Sequence, residues 1–164
     1  MPTTWRCGRF LFDFSKRKRP IVMGILNATP DSFSDGGQYL TLNEALKRAH
    51  EMIEEGVDII DIGGESTRPG SEPVSLDEEL KRIIPIIEAL KKDSDIAISV
   101  DTYKPQVMKE AIDRNVAMIN DVYALRQPGA IDVIKHSKVG ICLMHMQGTP
   151  QTMQINPQYI NVVS

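Results

Sequence analysis

The sequence is poor in cysteine, in aromatic residues and in long apolar runs, and each shortage excludes a class of protein. Two cysteines among 164 residues cannot build a disulfide framework, which favours reduced thiols and a cytoplasmic location. No run approaches the roughly 18–20 apolar residues of a membrane span, and the N-terminus lacks the basic-then-apolar pattern of a signal peptide. A net charge of −3 without a basic face argues against nucleic acid as a partner. One globular domain covering residues 1–164 is expected.

The chain is organised around a short apolar run at residues 21–26, which ends at Asn27 in a loop rich in turn-forming polar residues. An apolar strand that leads through a polar loop into a helix is one βα unit. In α/β folds the ligand lies at that end of the strand.

This βα pattern recurs along the sequence. Capping-box spacing predicts helix starts at Thr41 and Ser75, and Gly56 is placed as a helix C-cap. Pro85 predicts a kink or break in the second helix, and Asn156 with Pro157 predicts the start of a fifth helix. The predicted strands cover residues 21–26, 57–62, 96–100, 116–119 and 139–144, and a hairpin at residues 4–14 precedes them.

Polar residues at the strand ends favour a (βα)₈ barrel of the TIM type, and no Gly-x-Gly-x-x-Gly motif follows the first strand as a dinucleotide fold would require. A full barrel typically needs about 250 residues, so we expect this chain to supply the N-terminal part, roughly five of the eight units. The N-terminal hairpin is expected to close one end of that barrel.

Four strand ends present a carboxylate or a carboxamide, and the fold would bring these ends to one mouth. Any one of them alone is typical of a turn or a helix cap. Together they offer acceptors and a mixed donor and acceptor, which suits a heterocycle such as a pterin or a purine. Alternatively, Asn27 and loop carboxylates could complete a Mg²⁺ shell. These strand-end residues are Asn27, Asp61, Asp101 and Asn120.

Other candidates carry weaker signals. The loop at residues 63–70, with Arg68 among glycines and hydroxyls, is either an exposed connection or a mobile anion and substrate loop. His145 is expected to be a packed or capping residue and not a metal ligand, since no second His or Cys lies at ligand spacing. Met144 is predicted to line an apolar wall, and Cys142 to be a small core residue and not a nucleophile.

Two long motifs resemble the signature stretches of the dihydropteroate synthase family. They are GILNATPDSFSDGG at residues 24–37 and DIGGESTRPG at residues 61–70. Three shorter stretches, at residues 98–102, 119–121 and 142–148, agree with the same family in order and spacing.

The resemblance implies an enzyme that joins 6-hydroxymethyl-7,8-dihydropterin diphosphate to 4-aminobenzoate, releasing diphosphate and forming 7,8-dihydropteroate. It implies that Asn27 helps to hold Mg²⁺ and diphosphate, that Asp101 and Asn120 bind the pterin, and that Asp61 lies in the pocket floor. The residues that it assigns to the aminobenzoate site or the catalytic centre are Phe33, Asp35, Thr67, Arg68 and Pro69, together with Asp101 in the catalytic set. Small-molecule substrates, a homodimer of the complete barrel and, in principle, sensitivity to sulfonamides follow from the same resemblance.

The family places a further pterin-binding Asp, a Lys and an Arg-x-His clamp on later strands, which this sequence does not reach. We therefore expect the chain by itself to fold poorly, because its outer strands would have unpaired edges, and to be weakly active or inactive. One alternative is a pterin-binding methyltransferase barrel that passes a methyl group to a corrinoid, although the loops at residues 29–35 and 66–69 disfavour it. The other is a non-catalytic half-barrel.

Overall fold

The computed structural model describes residues 3–29, 42–66, 71–150 and 152–161, and strands alternate with helices through most of this part of the chain. The strands are β1 (Thr4–Cys7), β2 (Phe10–Asp13), β3 (Met23–Asn27), β4 (Ile59–Gly63), β5 (Ala97–Asp101), β6 (Met118–Asp121) and β7 (Gly140–Leu143). The helices are α1 (Leu42–Glu54), α2 (Leu76–Asp93), α3 (Pro105–Asp113) and α4 (Ala130–Ile134).

Strands β3 to β7 form one sheet in the order in which they occur in the chain, and every neighbouring pair is parallel. Successive helices also contact one another, α1 with α2, α2 with α3 and α3 with α4. A doubly wound sheet would reverse its strand order at a switch point, whereas a barrel adds each strand beside the last. The predicted barrel-type fold is confirmed for its N-terminal units.

The predicted hairpin is also confirmed. Strands β1 and β2 pair antiparallel around Gly8, whose φ of +59° is easily adopted by a residue without a side chain. The Gly8 amide donates to the Lys138 carbonyl (2.7 Å), which ties the turn to the start of β7. Apolar residues of the hairpin and of the strand starts form one cluster, so the hairpin covers the amino-terminal edge of the sheet. They are Cys7, Phe12, Ile59, Ala97, Ala117 and Met118.

The main core lies between the sheet and the helices. Since side chains alternate along a strand, one set of positions is buried against the helices and the other set faces the opposite surface. Glycine at position 24 lets α1 pack closely against β3, since a Cβ there would stand 2.7 Å from the sulfur of Met52. The strand side chains on the helix side include Leu26, Ile60, Ile62, Ile98, Val100 and Ile119.

The structure differs from the sequence prediction in the bounds of the strands, in the continuity of α2 and in the region of the expected fifth helix. Each sheet strand begins one or two residues later than its apolar run, and three of them, β3, β5 and β6, extend into the polar residue that follows it. Of the kink or break expected at Pro85, the break is wrong. Helix α2 runs through this position, where Pro85 is exposed while Ile83, Ile86 and Ile87 are buried on the core side. Ser75 caps α2 as predicted, its hydroxyl accepting from the Glu78 amide.

The predicted fifth helix is also wrong, since residues 152–161 contain turns and no helix. Asn156 has a φ of +46°, outside the helical region, and the Gln158 amide donates to the side-chain oxygen of Gln147 (3.0 Å). Gly56, predicted as a C-cap, has a φ of +90° just beyond α1, whereas Thr41 lies outside the described residues. Within the described ranges, none of the helices is both long and apolar enough to cross a membrane.

Candidate functional site at the carboxyl edge of the sheet

Three of the predicted residues lie side by side at the carboxyl edge of the sheet. Asn27 is paired in register with Gly63, Gly63 with Asp101, and Asp101 with Asn120. These three residues and Gly63 all lie on the surface of the sheet opposite the helices. The strand register therefore brings a carboxamide, a carboxylate and a second carboxamide together, and we call this region the mouth.

Asp61 lies deeper than the mouth residues. It is paired with Ser99, two positions before the pair formed by Gly63 and Asp101, and only 2% of its surface is exposed. Its Oδ2 accepts a hydrogen bond from the Asn120 Nδ2 (3.0 Å). Asp61 is thus joined to the mouth through Asn120.

The electrostatic field at the mouth is negative. Burial, followed by the charges of neighbouring carboxylates, raises the pKa of Asp101 to about 7. Burial likewise raises the pKa of Asp61, despite the opposing effects of Ser99 and of the bond from Asn120. A ligand that offers N–H donors or develops positive charge would relieve this field. The carboxylates that act on Asp101 are Asp61, Glu79, Asp121 and Glu65.

Gly63 leaves space at the centre of the mouth. A Cβ placed on it would stand 3.5 Å from Asn27 Oδ1 and 3.8 Å from Asp101 Oδ2. These are ordinary contact distances, so the backbone could accept a methyl group, but that group would fill the gap between the two polar side chains. The absence of a side chain at position 63 keeps this gap open to a ligand.

A buried ion-pair network holds the start of the loop that follows β4. Lys104 Nζ contacts the carboxylates of Glu65 and Glu79, whose side chains are 10% and 1% exposed. The Tyr103 hydroxyl donates to Glu65 Oε1 (2.9 Å), and burial, followed by this bond, raises the pKa of Tyr103 to about 12. Although burial alone would lower it, the two carboxylates leave the pKa of Lys104 raised, so the ammonium stays charged.

The backbone of the same loop is anchored at both of its described ends. Arg82 of α2 donates to the Gly64 carbonyl (2.9 Å), and the Ser71 hydroxyl donates to the Ser66 carbonyl (2.5 Å). The Ala28 amide, at the start of the first loop, donates to the Gly63 carbonyl (2.7 Å). The starts of the two long loops therefore lie beside each other at the mouth.

The remaining described candidates lie at the β7 side. Cys142 is paired with Asn120 and is partly buried, and its pKa is raised by burial and then by Asp61 and Asp101, so the thiol stays protonated. Met144 is partly buried just beyond β7, and its amide donates to the Asp121 carbonyl (3.2 Å). His145 is exposed, and its ring packs edge-on against the ring of Tyr159.

Several predicted site residues cannot be placed relative to the mouth because they lie outside the described residues. They are Phe33, Asp35, Thr67, Arg68 and Pro69.

The structure adds residues that sequence reasoning did not single out, namely Glu65, Glu79, Lys104 and Ser99. One signal for Glu79 was present in the sequence, since it lies three residues after Leu76 and four before Ile83, on the apolar face of α2. A charged residue at such a position needs a buried partner. Nothing in the sequence identifies Lys104, on a different βα connection, as that partner.

Among residues 3–29, 42–66, 71–150 and 152–161, no three His, Cys, Asp or Glu side chains lie together in a way that could hold a metal ion. Asn27 Oδ1 and the Asp101 carboxylate do flank the open position at Gly63. Such oxygen donors suit Mg²⁺, which is commonly held by one or two protein oxygens together with water and phosphate.

Comparison with known proteins agrees with this geometry. A family model described as "Pterin binding enzyme" matches residues 23–164. Dihydropteroate synthase from Haemophilus influenzae is 52% identical over 144 residues, covering 88% of this chain and 52% of that protein.

Two solved structures resemble the chain in both fold and sequence. The crystal structure of Burkholderia cenocepacia dihydropteroate synthase complexed with 7,8-dihydropteroate has a TM-score of 0.80 and 51% identity, covering 96% of this chain and 52% of that one. Xanthomonas albilineans dihydropteroate synthase with 4-aminobenzoic acid has a TM-score of 0.80 and 48% identity, and the match covers 89% of this chain and 53% of that one.

The chain spans about half the length of these relatives. The match to the family model covers most of the chain, from the first strand of the parallel sheet onward. The chain therefore belongs to the pterin binding enzyme family.

Proposed function

We propose that the protein acts as a dihydropteroate synthase, joining 6-hydroxymethyl-7,8-dihydropterin diphosphate to 4-aminobenzoate. The observation that carries the proposal is the alignment of Asn27, Asp101 and Asn120 at one sheet edge. It occurs in a chain that is 51% identical to an enzyme whose structure contains 7,8-dihydropteroate. That compound is the product of the proposed reaction.

Asp101 and Asn120 bind the pterin ring in this proposal. The ring of a reduced pterin carries N–H and amino donors beside a carbonyl acceptor, and a carboxylate next to a carboxamide matches such a mixed edge. Asp101 accepts from the donors, while Asn120 offers an oxygen and an N–H group. Asp61 lies beneath them and extends the negative field.

The same field favours the proposed chemistry. Departure of diphosphate from the CH₂ group beside the electron-rich ring leaves a delocalised cation, which buried carboxylates stabilise. The aniline nitrogen of 4-aminobenzoate then forms the new C–N bond and loses a proton. Positioning of this weakly basic nitrogen matters more than its activation, and no covalent nucleophile is needed. The protonated thiol of Cys142 is consistent with that scheme.

Asn27 is the proposed Mg²⁺ ligand. Its oxygen lies beside the open position at Gly63, where a diphosphate group and water could complete the shell. Mg²⁺ bound there would neutralise charge on the departing diphosphate.

The aminobenzoate site is assigned to the two long loops, whose described starts lie together at the mouth. The backbone bond between Ala28 and Gly63 joins these starts, and the network of Lys104, Glu65 and Glu79 fixes the second of them. We assign aminobenzoate contacts to Phe33, Asp35, Thr67, Arg68 and Pro69 from the family resemblance, and Met144 to the apolar wall.

A cytoplasmic location and a homodimer of the complete barrel complete the proposal. The low cysteine content supports the first, and the resemblance supports the second. Light scattering on the purified protein tests the dimer.

The test of this function is a turnover assay of the full chain with pterin diphosphate, Mg²⁺ and radiolabelled 4-aminobenzoate. The expected result is slow formation of labelled dihydropteroate that requires all three components. Transfer of a methyl group to a corrinoid without 4-aminobenzoate would instead indicate the methyltransferase alternative. Pterin binding without turnover would indicate a non-catalytic half-barrel.

A further inference from the structure

The Asn120 side chain is held in one orientation by a partner that lies beneath the mouth. Asn120 Nδ2 donates to Asp61 Oδ2 (3.0 Å) across the inward face of β5, the strand that separates β4 from β6. Position 99 lies on that face, and its small serine side chain leaves the path open. Asn120 itself is only partly buried, whereas Asp61 is 2% exposed.

We propose that Asp61 is a positioning residue, which fixes the direction of the Asn120 amide and so sets the hydrogen-bonding pattern that the mouth presents to its ligand. This inference rests on the proposed function, since it concerns recognition of the pterin ring. It differs from direct binding, because Asp61 would act through Asn120 and not through its own contact with the ring.

The structure shows one arrangement of this pair, in which the NH₂ group of Asn120 faces Asp61. It is the arrangement that an ionised carboxylate requires, because such a group only accepts hydrogen bonds. Because the amide is planar, its oxygen is then turned away from Asp61. The reversed amide would set its oxygen against a carboxylate oxygen, two acceptors with no proton between them. The ligand therefore meets the Asn120 oxygen and not only its NH₂ group.

The burial of Asp61 carries a free-energy cost that its bond to Asn120 helps to offset. A carboxylate that is only 2% exposed needs hydrogen-bond donors around it. Asn120 Nδ2 is such a donor, at 3.0 Å from Asp61 Oδ2. Loss of either side chain would therefore leave the other with an unsatisfied group.

The experiment compares Asp61→Ala with Asp61→Asn in the full chain. Alanine removes the acceptor, while asparagine keeps one oxygen that can accept from Asn120. If Asp61 acts by orientation, Asp61→Ala should weaken binding of 6-hydroxymethyl-7,8-dihydropterin diphosphate by about tenfold or more. Asp61→Asn should lose at least about threefold less affinity than Asp61→Ala, because it keeps an acceptor for Asn120 although it removes the same negative charge from the mouth. Equal losses in both variants would instead indicate a direct charge effect and overturn the inference.

A second readout needs no ligand and separates this inference from the proposed function. In the ¹⁵N-labelled protein, the side-chain NH₂ resonances of Asn120 are identified by their absence in Asn120→Asp. The bond to Asp61 should shift them away from the positions typical of solvent-exposed asparagine side chains. That shift should disappear in Asp61→Ala and persist in part in Asp61→Asn. A wild type that shows this signature without binding pterin would contradict the proposed function alone. Unchanged Asn120 resonances in a folded Asp61→Ala variant would contradict the inference.

Discussion

Gly64 packs directly against Glu79: a Cβ on Gly64 would stand 2.9 Å from Glu79 Cγ and 3.2 Å from the Glu79 carbonyl oxygen. The side chain of Glu79 is held in place by Lys104, and the carbonyl belongs to the backbone of α2. Moving the Cγ or the carbonyl oxygen of Glu79 would therefore disturb the ion pair or the helix and cost free energy. The close approach of strand end and helix start therefore depends on glycine at position 64.

Gly64→Ala should destabilise the protein by about 1–3 kcal/mol, since overpacking a rigid site forces the backbone or the ion pair to shift. Urea denaturation measures this. Gly63→Ala is the matched control, because its methyl group would meet neighbours only at 3.5 Å or more. Equal stability losses in the two variants would show that the contact with Glu79 is not the cause.

Gly63→Ala should in turn weaken pterin diphosphate binding while leaving the free energy of unfolding nearly unchanged. The added methyl group would occupy the gap between Asn27 and Asp101. Isothermal titration with the pterin diphosphate checks the affinity, and the urea midpoint checks the fold. Full affinity in a stable Gly63→Ala protein would place the ligand elsewhere.

Lys104→Met should cost about 3–5 kcal/mol of stability, because it would leave the carboxylates of Glu65 and Glu79 buried without a cation. Lys109→Met is the control: Lys109 pairs with Asp113 on the exposed face of α3, where both side chains are more than half exposed. Lys109→Met should lose no more than about 0.5 kcal/mol of stability. If the two variants lost the same stability, the Lys104 network would have no special role.

Sequence reasoning recovered the βα order, the hairpin and the mouth residues, and the reasons lie in the local pattern. Asn27, Asp101 and Asn120 each follow an apolar run, and parallel strands place such positions at one edge. The strand ends were displaced because the backbone of a polar residue can extend a ladder as well as that of an apolar one. Asp101, for example, is paired on both sides.

The contacts that sequence reasoning missed join residues far apart in the chain. The network around Lys104 connects positions 39 and 25 residues away, and the bond from Asn120 to Asp61 spans 59 residues. Local pattern cannot reveal which charged residue on one βα connection meets which on another. The helix expected at Asn156 failed for a related reason, since Gln147 engages the backbone of Gln158 there.

Asp101→Asn should change how stability depends on pH. The pKa of Asp101 is about 7 in the folded protein, whereas the unfolded chain releases this proton near the ordinary pKa of 3.8. Between these values the folded state binds more protons, so raising the pH lowers the free energy of unfolding, by at most about 1.4 kcal/mol per pH unit. Asparagine cannot ionise, so its stability relative to the wild type should rise from pH 4 to pH 7. Parallel curves of unfolding free energy against pH would contradict the raised pKa.

Equilibrium titration with 6-hydroxymethyl-7,8-dihydropterin diphosphate at pH 8, above the raised pKa of Asp101, tests whether a pterin binds at the carboxyl edge of the sheet. The wild type should bind saturably, and Asp101→Asn should bind more weakly by about 1–3 kcal/mol, or roughly 5- to 150-fold, because a charged acceptor is lost. Asp132→Asn, an exposed change on α4, should bind like the wild type. Equal affinity in Asp101→Asn and the wild type, or no binding by the wild type, would contradict the account.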